Sequence, residues 1–182
     1  MGIECDSTQI SCSCGNLPQI VKEGNLVFID RKLLCEVTAV EEDRVKVSCK
    51  NSFTLTSNMC IQFPGVEFEG PIVGEEDEQD IIEFAIQQGI DYICLSNCSK
   101  ASDVENMRNF LAEQNAGHVG IIAKIDSNEG LNNYEEILDL TDVIMICRAD
   151  LSLEIPAEKV YVAQKWMIEK ANFVAKPVLI AQ

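Results

Sequence analysis

The chain has 182 residues, of which 47% are hydrophobic, and it carries a formal net charge of −16 at neutral pH. This length suits one domain or a domain with a small subdomain, and the apolar content excludes wholesale disorder. The charge argues against a nucleic-acid binder, which needs a basic face, but one local pair of cations could still hold a small phosphorylated substrate. We interpret most of the acidic residues as a solvated surface.

The sequence has no membrane or export signal. No stretch is long and apolar enough to cross a bilayer. The segment 1–6 lacks the basic region and the apolar core of a signal peptide. We therefore expect a cytoplasmic protein that binds neither membranes nor nucleic acid.

Nine cysteines and a single histidine, His118, occur in the chain. No C-x-x-C pair is present, whereas structural zinc sites normally have such closely spaced ligands. Cys94, Cys98 and Cys147 lie in or beside apolar strands, where a thiol behaves as a small hydrophobic group. We interpret the cysteines as reduced and mostly structural. The alternative is a redox or metal role for Cys12-Ser13-Cys14.

Residues 1–70 have the pattern of a small all-β domain. Short segments rich in β-branched or aromatic residues alternate with turn formers, which predicts an antiparallel barrel or sandwich. Pro64-Gly65 and Gly70-Pro71 then interrupt the chain, so we place a domain boundary after residue 65. The predicted strands are 26–29, 33–40, 45–49 and 53–55.

Beyond residue 71, helical and strand patterns alternate. The predicted strands begin about 25–35 residues apart, which is close to one βα repeat. They are continuously apolar, as in parallel sheets that are covered on both faces. From these patterns alone, the second half is either half of an eight-stranded barrel or a small open sheet. The strands are 92–95, 120–123, 143–146 and 177–180.

Helix signals separate these strands. The acidic run 75–77 opens a helix at its positive end. Ser102-x-x-Glu105 predicts a capping box for the next helix, and Pro156 suits the first turn of the last one. The residues that we expect on the buried face of the second helix are Val104, Met107 and Leu111.

Charged residues follow two of the predicted strands. Lys124 and Asp126 lie at the end of the strand that begins at Gly120, and Asp150 follows the strand 143–146. The carboxyl ends of parallel strands are where α/β enzymes assemble their active sites. Two acids and a lysine on neighbouring strand ends could hold a divalent cation and an anionic substrate.

Several of these segments together resemble the pyruvate kinase family. The segments are 123–126 (Ala-Lys-Ile-Asp), 154–160 (Glu-Ile-Pro-Ala-Glu-Lys-Val) and 176–178 (Lys-Pro-Val), and 154–160 is the most specific of them. The run 63–66 (Phe-Pro-Gly-Val) is similar to the family's hinge out of its small β-domain. The resemblance extends over nearly the whole chain after about residue 15.

The resemblance implies a fold and a reaction. Residues 1–65 would form part of a β-domain lid, and residues 66–182 would form about four βα units of a (β/α)8 barrel, equivalent to strands 4 to 7. The implied reaction is glycolytic phosphoryl transfer from phosphoenolpyruvate to ADP, giving pyruvate and ATP, with magnesium and potassium as cofactors. We expect the potassium ligands and an arginine on the phosphate to lie ahead of this chain. We expect the last barrel strand and a regulatory domain to follow it.

The resemblance also implies roles for individual residues. Lys124 matches the catalytic lysine, whose charge bridges the transferring phosphoryl group and stabilises the enolate. Asp126 and Asp150 match the two magnesium ligands. Backbone N–H groups at a helical turn would face the substrate carboxylate. The residues implied on the substrate side are Ser96, Arg148, Ala149 and Asp150.

The chain departs from the family pattern within this site. Asp126 stands where the family has glutamate, which is one methylene longer. Because Mg²⁺ needs its oxygens at roughly 2.0–2.1 Å, we expect the shorter side chain to weaken the metal site. Ser127 replaces an asparagine. Ala149 and Ser152 replace glycines, so we expect a penalty if the backbone there requires angles that disfavour a Cβ atom. The segment 97–99 replaces an aromatic, an aliphatic and an arginine, and the family's threonine after the last strand is absent here.

Three functions are therefore open. The first is a phosphotransferase, with turnover by the chain alone not expected. The second is a non-catalytic relative that binds a partner, because four parallel strands leave two unpaired edges and an apolar inner face. That partner would be a second copy or a full-length homologue. The third, another magnesium-dependent barrel enzyme acting through an enolate, does not explain the run 154–160.

Overall fold

The computed structural model describes residues 6, 8–66 and 72–181. The chain divides into two compact units, Met1–Phe68 and Glu69–Gln182. Of the residues that predicted the boundary, Pro64 and Gly65 are described, while Gly70-Pro71 lie outside the described residues. The assignment of the two units to a lid and a barrel remains a prediction.

The described part of the first unit contains an antiparallel sheet in the order β3-β2-β1-β4. Apolar side chains from alternating strand positions form its core with Val21 and Phe63. A short helix, α1 (Leu17–Ile20), precedes the sheet. The strands are β1 (Leu26–Ile29), β2 (Leu33–Val40), β3 (Val45–Cys49) and β4 (Ile61–Gln62).

The prediction of a strand at 53–55 was wrong, and β4 was missed. The Asn51 side chain accepts a hydrogen bond from the Leu34 N–H and donates one to the Lys32 carbonyl, both at 2.8 Å. This side chain thus satisfies backbone groups at the start of β2 and just before it that a longer β3 would have paired, and the chain leaves the sheet there. The strand that completes the sheet pairs with β1 instead, through the partners Ile29 and Ile61.

The second unit contains a parallel sheet whose strands pair in chain order. Its strands are β5 (Tyr92–Leu95), β6 (Gly120–Ile125), β7 (Val143–Cys147) and β8 (Val178–Ala181). Sequential order with a helical connection between strands is the arrangement of a βα barrel, whereas a doubly wound sheet reverses its order. The predicted α/β class with a parallel sheet is therefore confirmed.

The helices of this unit lie between the strands. A π-helical segment at Ile81–Ala85 continues the first of them. Arg148–Glu154 is a full helix where the sequence indicated only a helical turn. The helices are α2 (Glu75–Asp80), α3 (Ala101–Glu113), α4 (Asn128–Asn132), α5 (Tyr134–Leu140), α6 (Arg148–Glu154) and α7 (Ala157–Phe173).

One face of the parallel sheet packs against these helices. Ile121, Ala123 and Ile125 of β6 are fully buried there, as alternation along a strand requires. The predicted buried face of α3 is confirmed, because Val104, Met107 and Leu111 all lie in this core. Alternate residues of β6, including Lys124, therefore lie on the opposite face of the sheet.

That opposite face includes exposed apolar side chains. Tyr92 of β5 is 53% exposed and Leu179 of β8 is 44% exposed. Among the described residues, β5 and β8 each pair with one strand. The sheet thus has the two open edges and the partly uncovered apolar face that the strand count indicated.

The predicted capping box at the start of α3 was wrong. The helix begins at Ala101, so Ser102 already lies in its first turn. The Asp103 carboxylate accepts hydrogen bonds from the N–H groups of Ser99 at 2.9 Å and Lys100 at 3.0 Å. An acid at the third helical position caps the N-terminus more effectively here than the serine.

Helix α7 ends in a Schellman motif. The Lys176 N–H donates to the Ala171 carbonyl at 2.9 Å, and the Ala175 N–H donates to the Asn172 carbonyl at 3.1 Å. Ala175 has a φ of 56°, which is the left-handed conformation that this motif requires. A Cβ atom is unfavourable in that conformation, so glycine is the usual residue there.

We expect Ala175→Gly to raise the free energy of unfolding of the second unit by about 1 kcal/mol, because glycine adopts the left-handed conformation without strain. Urea denaturation of the variant measures the change. Ala163→Gly, in the middle of α7, is the matched control and is expected to lower stability by about 1 kcal/mol. Equal destabilisation by both changes would contradict strain at Ala175.

Candidate functional site

The predicted charged residues lie at the ends of neighbouring strands. Lys124 is near the end of β6, Asp126 follows that strand directly, and Asp150 lies in the first turn of α6, after β7. Strands β6 and β7 are parallel, and Ile125 pairs with Ile146. Their carboxyl ends are therefore level, which brings the three side chains together.

Lys124 contacts both acids. Its Nζ lies 3.2 Å from Asp126 Oδ2 and 3.6 Å from Asp150 Oδ2. The side chains are 22% exposed for Lys124, 4% for Asp126 and 12% for Asp150. The cluster is thus a largely buried group of one cation and two anions, open to solvent on the side of the lysine.

Asp126 is held from the turn after β5. The Asn97 N–H donates to Asp126 Oδ2 at 3.1 Å. Asn97 has a φ of 55°, a left-handed conformation that asparagine tolerates better than most residues. The other oxygen, Asp126 Oδ1, is buried and has no hydrogen-bond partner among the described residues. A buried carboxylate oxygen without a donor is one that a cation or a water molecule would satisfy.

Burial and charge act in opposite directions on the pKa values of this cluster. Burial raises the pKa of Asp126 above its ordinary value, although the charge of Lys124 and the Asn97 hydrogen bond both lower it. For Lys124, burial lowers the pKa, but the neighbouring Asp126, Cys147 and Asp150 outweigh burial and leave the pKa raised. The lysine therefore keeps its positive charge throughout the neutral pH range.

Cys147 is a member of the site that the sequence did not indicate. Its Sγ lies 2.8 Å from Asp150 Oδ2, so the thiol donates to the acid that Lys124 also contacts. Burial, together with this hydrogen bond, raises the pKa of the Cys147 thiol. The apolar pattern of the strand predicts only a small hydrophobic role for Cys147. Strand alternation could have identified it, since Cys147 lies two residues beyond Met145, the partner of Lys124.

The residues expected on the substrate side lie around the cluster. Arg148 is exposed at the start of α6, and Ala149 follows it within the same helix. The N–H groups in the first turn of a helix have no acceptor within the helix and are available to an anion. Ser96 is exposed directly after β5 and, with Asn97, lines a pocket of about 330 Å³ beside α2. Whether these residues bind substrate remains a prediction.

The replaced glycines carry no backbone penalty, because the condition for one is not met. Ala149 and Ser152 both lie in α6, and neither has a positive φ. A Cβ atom is therefore compatible with the backbone at both positions. Ser152 Oγ donates to the Ala149 carbonyl at 2.7 Å. Ser127, the other replacement, caps α4 by accepting a hydrogen bond from the Gly130 N–H at 3.0 Å.

The site contains two carboxylates, Asp126 and Asp150, that could bind a metal ion. Across the described residues, no group of three or more histidine, cysteine or acidic side chains is arranged as a metal site. Mg²⁺ typically takes one or two carboxylates and completes its octahedron with water and substrate oxygens. Asp126 and Asp150, with the unsatisfied Asp126 Oδ1, fit that requirement.

In the described ranges, no helix is both long and apolar enough to span a bilayer.

The parallel βα units, with a lysine and two acids at their strand ends, have the architecture of part of a (β/α) barrel. Residues 1–182 match the family model described as pyruvate kinase, barrel domain. The chain belongs to the pyruvate kinase family. The family resemblance and the partial-barrel fold class predicted from the sequence are thereby confirmed.

Relatives of known identity agree with this assignment. The chain is 41% identical over 173 residues to a pyruvate kinase of Eimeria tenella, covering 94% of this chain and 32% of the relative. It is 37% identical over 182 residues to the cytosolic pyruvate kinase isozyme of Glycine max, covering 98% and 35%. The chain thus spans about a third of the length of these curated relatives.

Solved structures give the same result. A crystal structure of a pyruvate kinase from Cryptosporidium parvum superimposes with a TM-score of 0.83 at 36% identity, over 93% of this chain and 36% of that one. A second structure, the Cryptosporidium parvum enzyme in complex with ADP, gives a TM-score of 0.82 at 36% identity, over 90% and 34%.

We expect Lys124→Met to raise the pKa of Asp126 further, because the lysine charge is the main influence that lowers it. The carboxyl carbon of Asp126, followed by NMR across a pH titration, measures this shift. Lys165→Met is the matched control, since Lys165 lies against the Tyr161 ring. An unchanged Asp126 titration in Lys124→Met would show that the ion pair does not form in solution.

Proposed function

We propose that this chain carries part of the active site of a pyruvate kinase, which transfers a phosphoryl group from phosphoenolpyruvate to ADP. The observation that carries the proposal is the contact of Lys124 with both Asp126 and Asp150 at the ends of neighbouring parallel strands. The family match over the whole chain and the solved relative with ADP support it. The soybean relative, a cytosolic isozyme, supports a cytoplasmic location.

Lys124 has the charge and the position that phosphoryl transfer needs. Its pKa is raised by the neighbouring acids despite burial, so it stays protonated. A fixed cation in a partly buried site stabilises the negative charge that develops on the phosphoryl oxygens and on the enolate. The 22% exposure of its side chain leaves the ammonium group accessible to an anionic substrate.

Asp126 and Asp150 would hold a magnesium ion. Such an ion, when bound, supplies positive charge to the phosphoryl oxygens. Asp126 is a methylene shorter than the family's glutamate, and a water molecule would bridge the difference. Its Oδ1, which has no hydrogen-bond partner in the described part of the chain, is the atom that a cation would satisfy. Potassium is proposed from the family alone, with ligands outside this chain.

A second candidate, a non-catalytic relative that binds a partner, is favoured by a different observation. Tyr92 and Leu179 expose apolar surface on the face of the sheet that also bears Lys124. Exposed apolar surface of this kind is typical of an interaction site. A second copy or a full-length homologue are the partners proposed for that role.

Metal and substrate binding test the site directly. We expect isothermal titration with Mg²⁺ and oxalate, an analogue of the enolate, to give heat with the native chain. Asp126→Asn and Asp150→Asn should each lower the affinity at least about tenfold, because each removes a charged oxygen from the ion. Glu135→Gln, a change of an exposed acid on α5, is the control. Binding that survives both site changes would place the metal elsewhere.

Turnover tests the catalytic candidate, although none is expected from a chain that spans about a third of its relatives' length. We expect magnesium-dependent formation of pyruvate, measured by a coupled assay, to fall about 100-fold or more in Lys124→Met if the chain is a catalyst. Lys165→Met should retain the native rate. Clear magnesium-dependent turnover by the native chain that is lost in Lys124→Met would contradict the non-catalytic candidate.

A further inference from the structure

Two cysteines of the first unit face each other across neighbouring strands. Cys35 of β2 and Cys49 of β3 are direct partners in the antiparallel register. Their Sγ atoms are 3.6 Å apart. None of the proposed pyruvate kinase chemistry uses either residue.

The pair occupies a position that suits a disulfide. The Lys50 N–H donates to the Leu34 carbonyl at 2.8 Å, so Leu34 and Lys50, the pair next to the two cysteines, are a hydrogen-bonded pair. Antiparallel pairs alternate, so Cys35 and Cys49 form a non-hydrogen-bonded pair, where Cα atoms are about 4.5 Å apart. That separation lies at the short end of the disulfide range of about 4.4–6.8 Å. Side-chain rotation would bring the sulfur atoms to bonding distance.

The two thiols differ in their access to solvent. Cys49 is exposed, whereas Cys35 is 1% exposed and belongs to the core of the unit. Burial, with the neighbouring Cys49, raises the pKa of Cys35 to about 11. An oxidant in solution therefore meets Cys49 first, and Cys35 is positioned to react second.

Strand β3 is the element that a bond here would secure. It is an edge strand that pairs only with β2 among the described residues, and none of its residues is fully buried. Its register with β2 is also interrupted between Val37 and Ala39. A covalent link at the Cys49 end would hold this strand to the sheet independently of packing.

We propose that Cys35 and Cys49 are a redox modification site, which forms a reversible disulfide with a small disulfide oxidant such as oxidised glutathione. The Cys49 thiolate attacks the oxidant, forms a mixed disulfide and releases one thiol. The Cys35 thiolate then attacks the Cys49 sulfur and releases the second thiol. The two cysteines lose two electrons and two protons, and the oxidant is reduced to two thiols. An excess of a small thiol drives the same exchange in reverse and returns both cysteines to the reduced form.

Peptide mapping tests the proposal on the whole chain. The chain is equilibrated with oxidised glutathione, free thiols are blocked with N-ethylmaleimide, and trypsin cleaves without reduction. Cleavage after Lys32, Arg44, Lys46 and Lys50 places the two cysteines in separate peptides, 33–44 and 47–50. We expect these peptides to be joined after oxidation and separated by dithiothreitol.

Variants and exchange rates complete the test. Cys49→Ser, at an exposed position, should abolish the link, whereas Cys94→Ser should leave it unchanged. Amide hydrogen exchange of β3 should slow about tenfold or more in the oxidised chain and not in oxidised Cys49→Ser. Failure of peptides 33–44 and 47–50 to join, or preferential joining of Cys49 to another cysteine, would overturn the proposal.

Discussion

The candidate site depends on one lysine that holds two carboxylates in a nearly closed environment. Two acids that share a small buried site repel each other, and without a cation one of them takes up a proton. Lys124 contacts both Asp126 and Asp150 and so favours their ionised forms. Burial still raises the pKa of Asp126, which means that the lysine only partly compensates for lost hydration. A divalent cation would complete that compensation, so the electrostatic cost of burying the two acids favours metal binding.

The position of this lysine follows from packing on the other face of its strand. Ile121, Ala123 and Ile125 are fully buried against the helices, and alternation then directs Lys124 to the face that bears the site. A shift of one residue in the register of β6 would bury the lysine and expose the isoleucines. The apolar core therefore specifies the register, and the register places the charges. Hydrophobic burial supplies the free energy, while the polar face receives its geometry as a consequence.

The features that could be predicted from the sequence are those that depend on periodicity and chain order. Seven of the eight observed strands, the parallel class and the three charged residues of the site follow from apolar patterns and strand ends. Errors arose where a single side chain competes with the backbone pattern. Asn51 ends the β2–β3 pairing, and Asp103 rather than Ser102 caps α3. The supporting contacts from Asn97 and Cys147 depend on tertiary placement, which a local pattern does not contain.

The cysteines show why residue type alone predicts so little about a thiol. The apolar pattern predicts a small hydrophobic role for three cysteines of the second unit, yet Cys147 donates to an acid of the site while Cys98 is buried in the core. In the first unit, strand register places Cys35 opposite Cys49 and makes a pair that is chemically different from either thiol alone. Cys12 and Cys14 are separated by one residue in the chain, and this closeness is what indicated a redox or metal role. Redox chemistry depends instead on closeness in space, and antiparallel pairing brings together residues that the sequence separates.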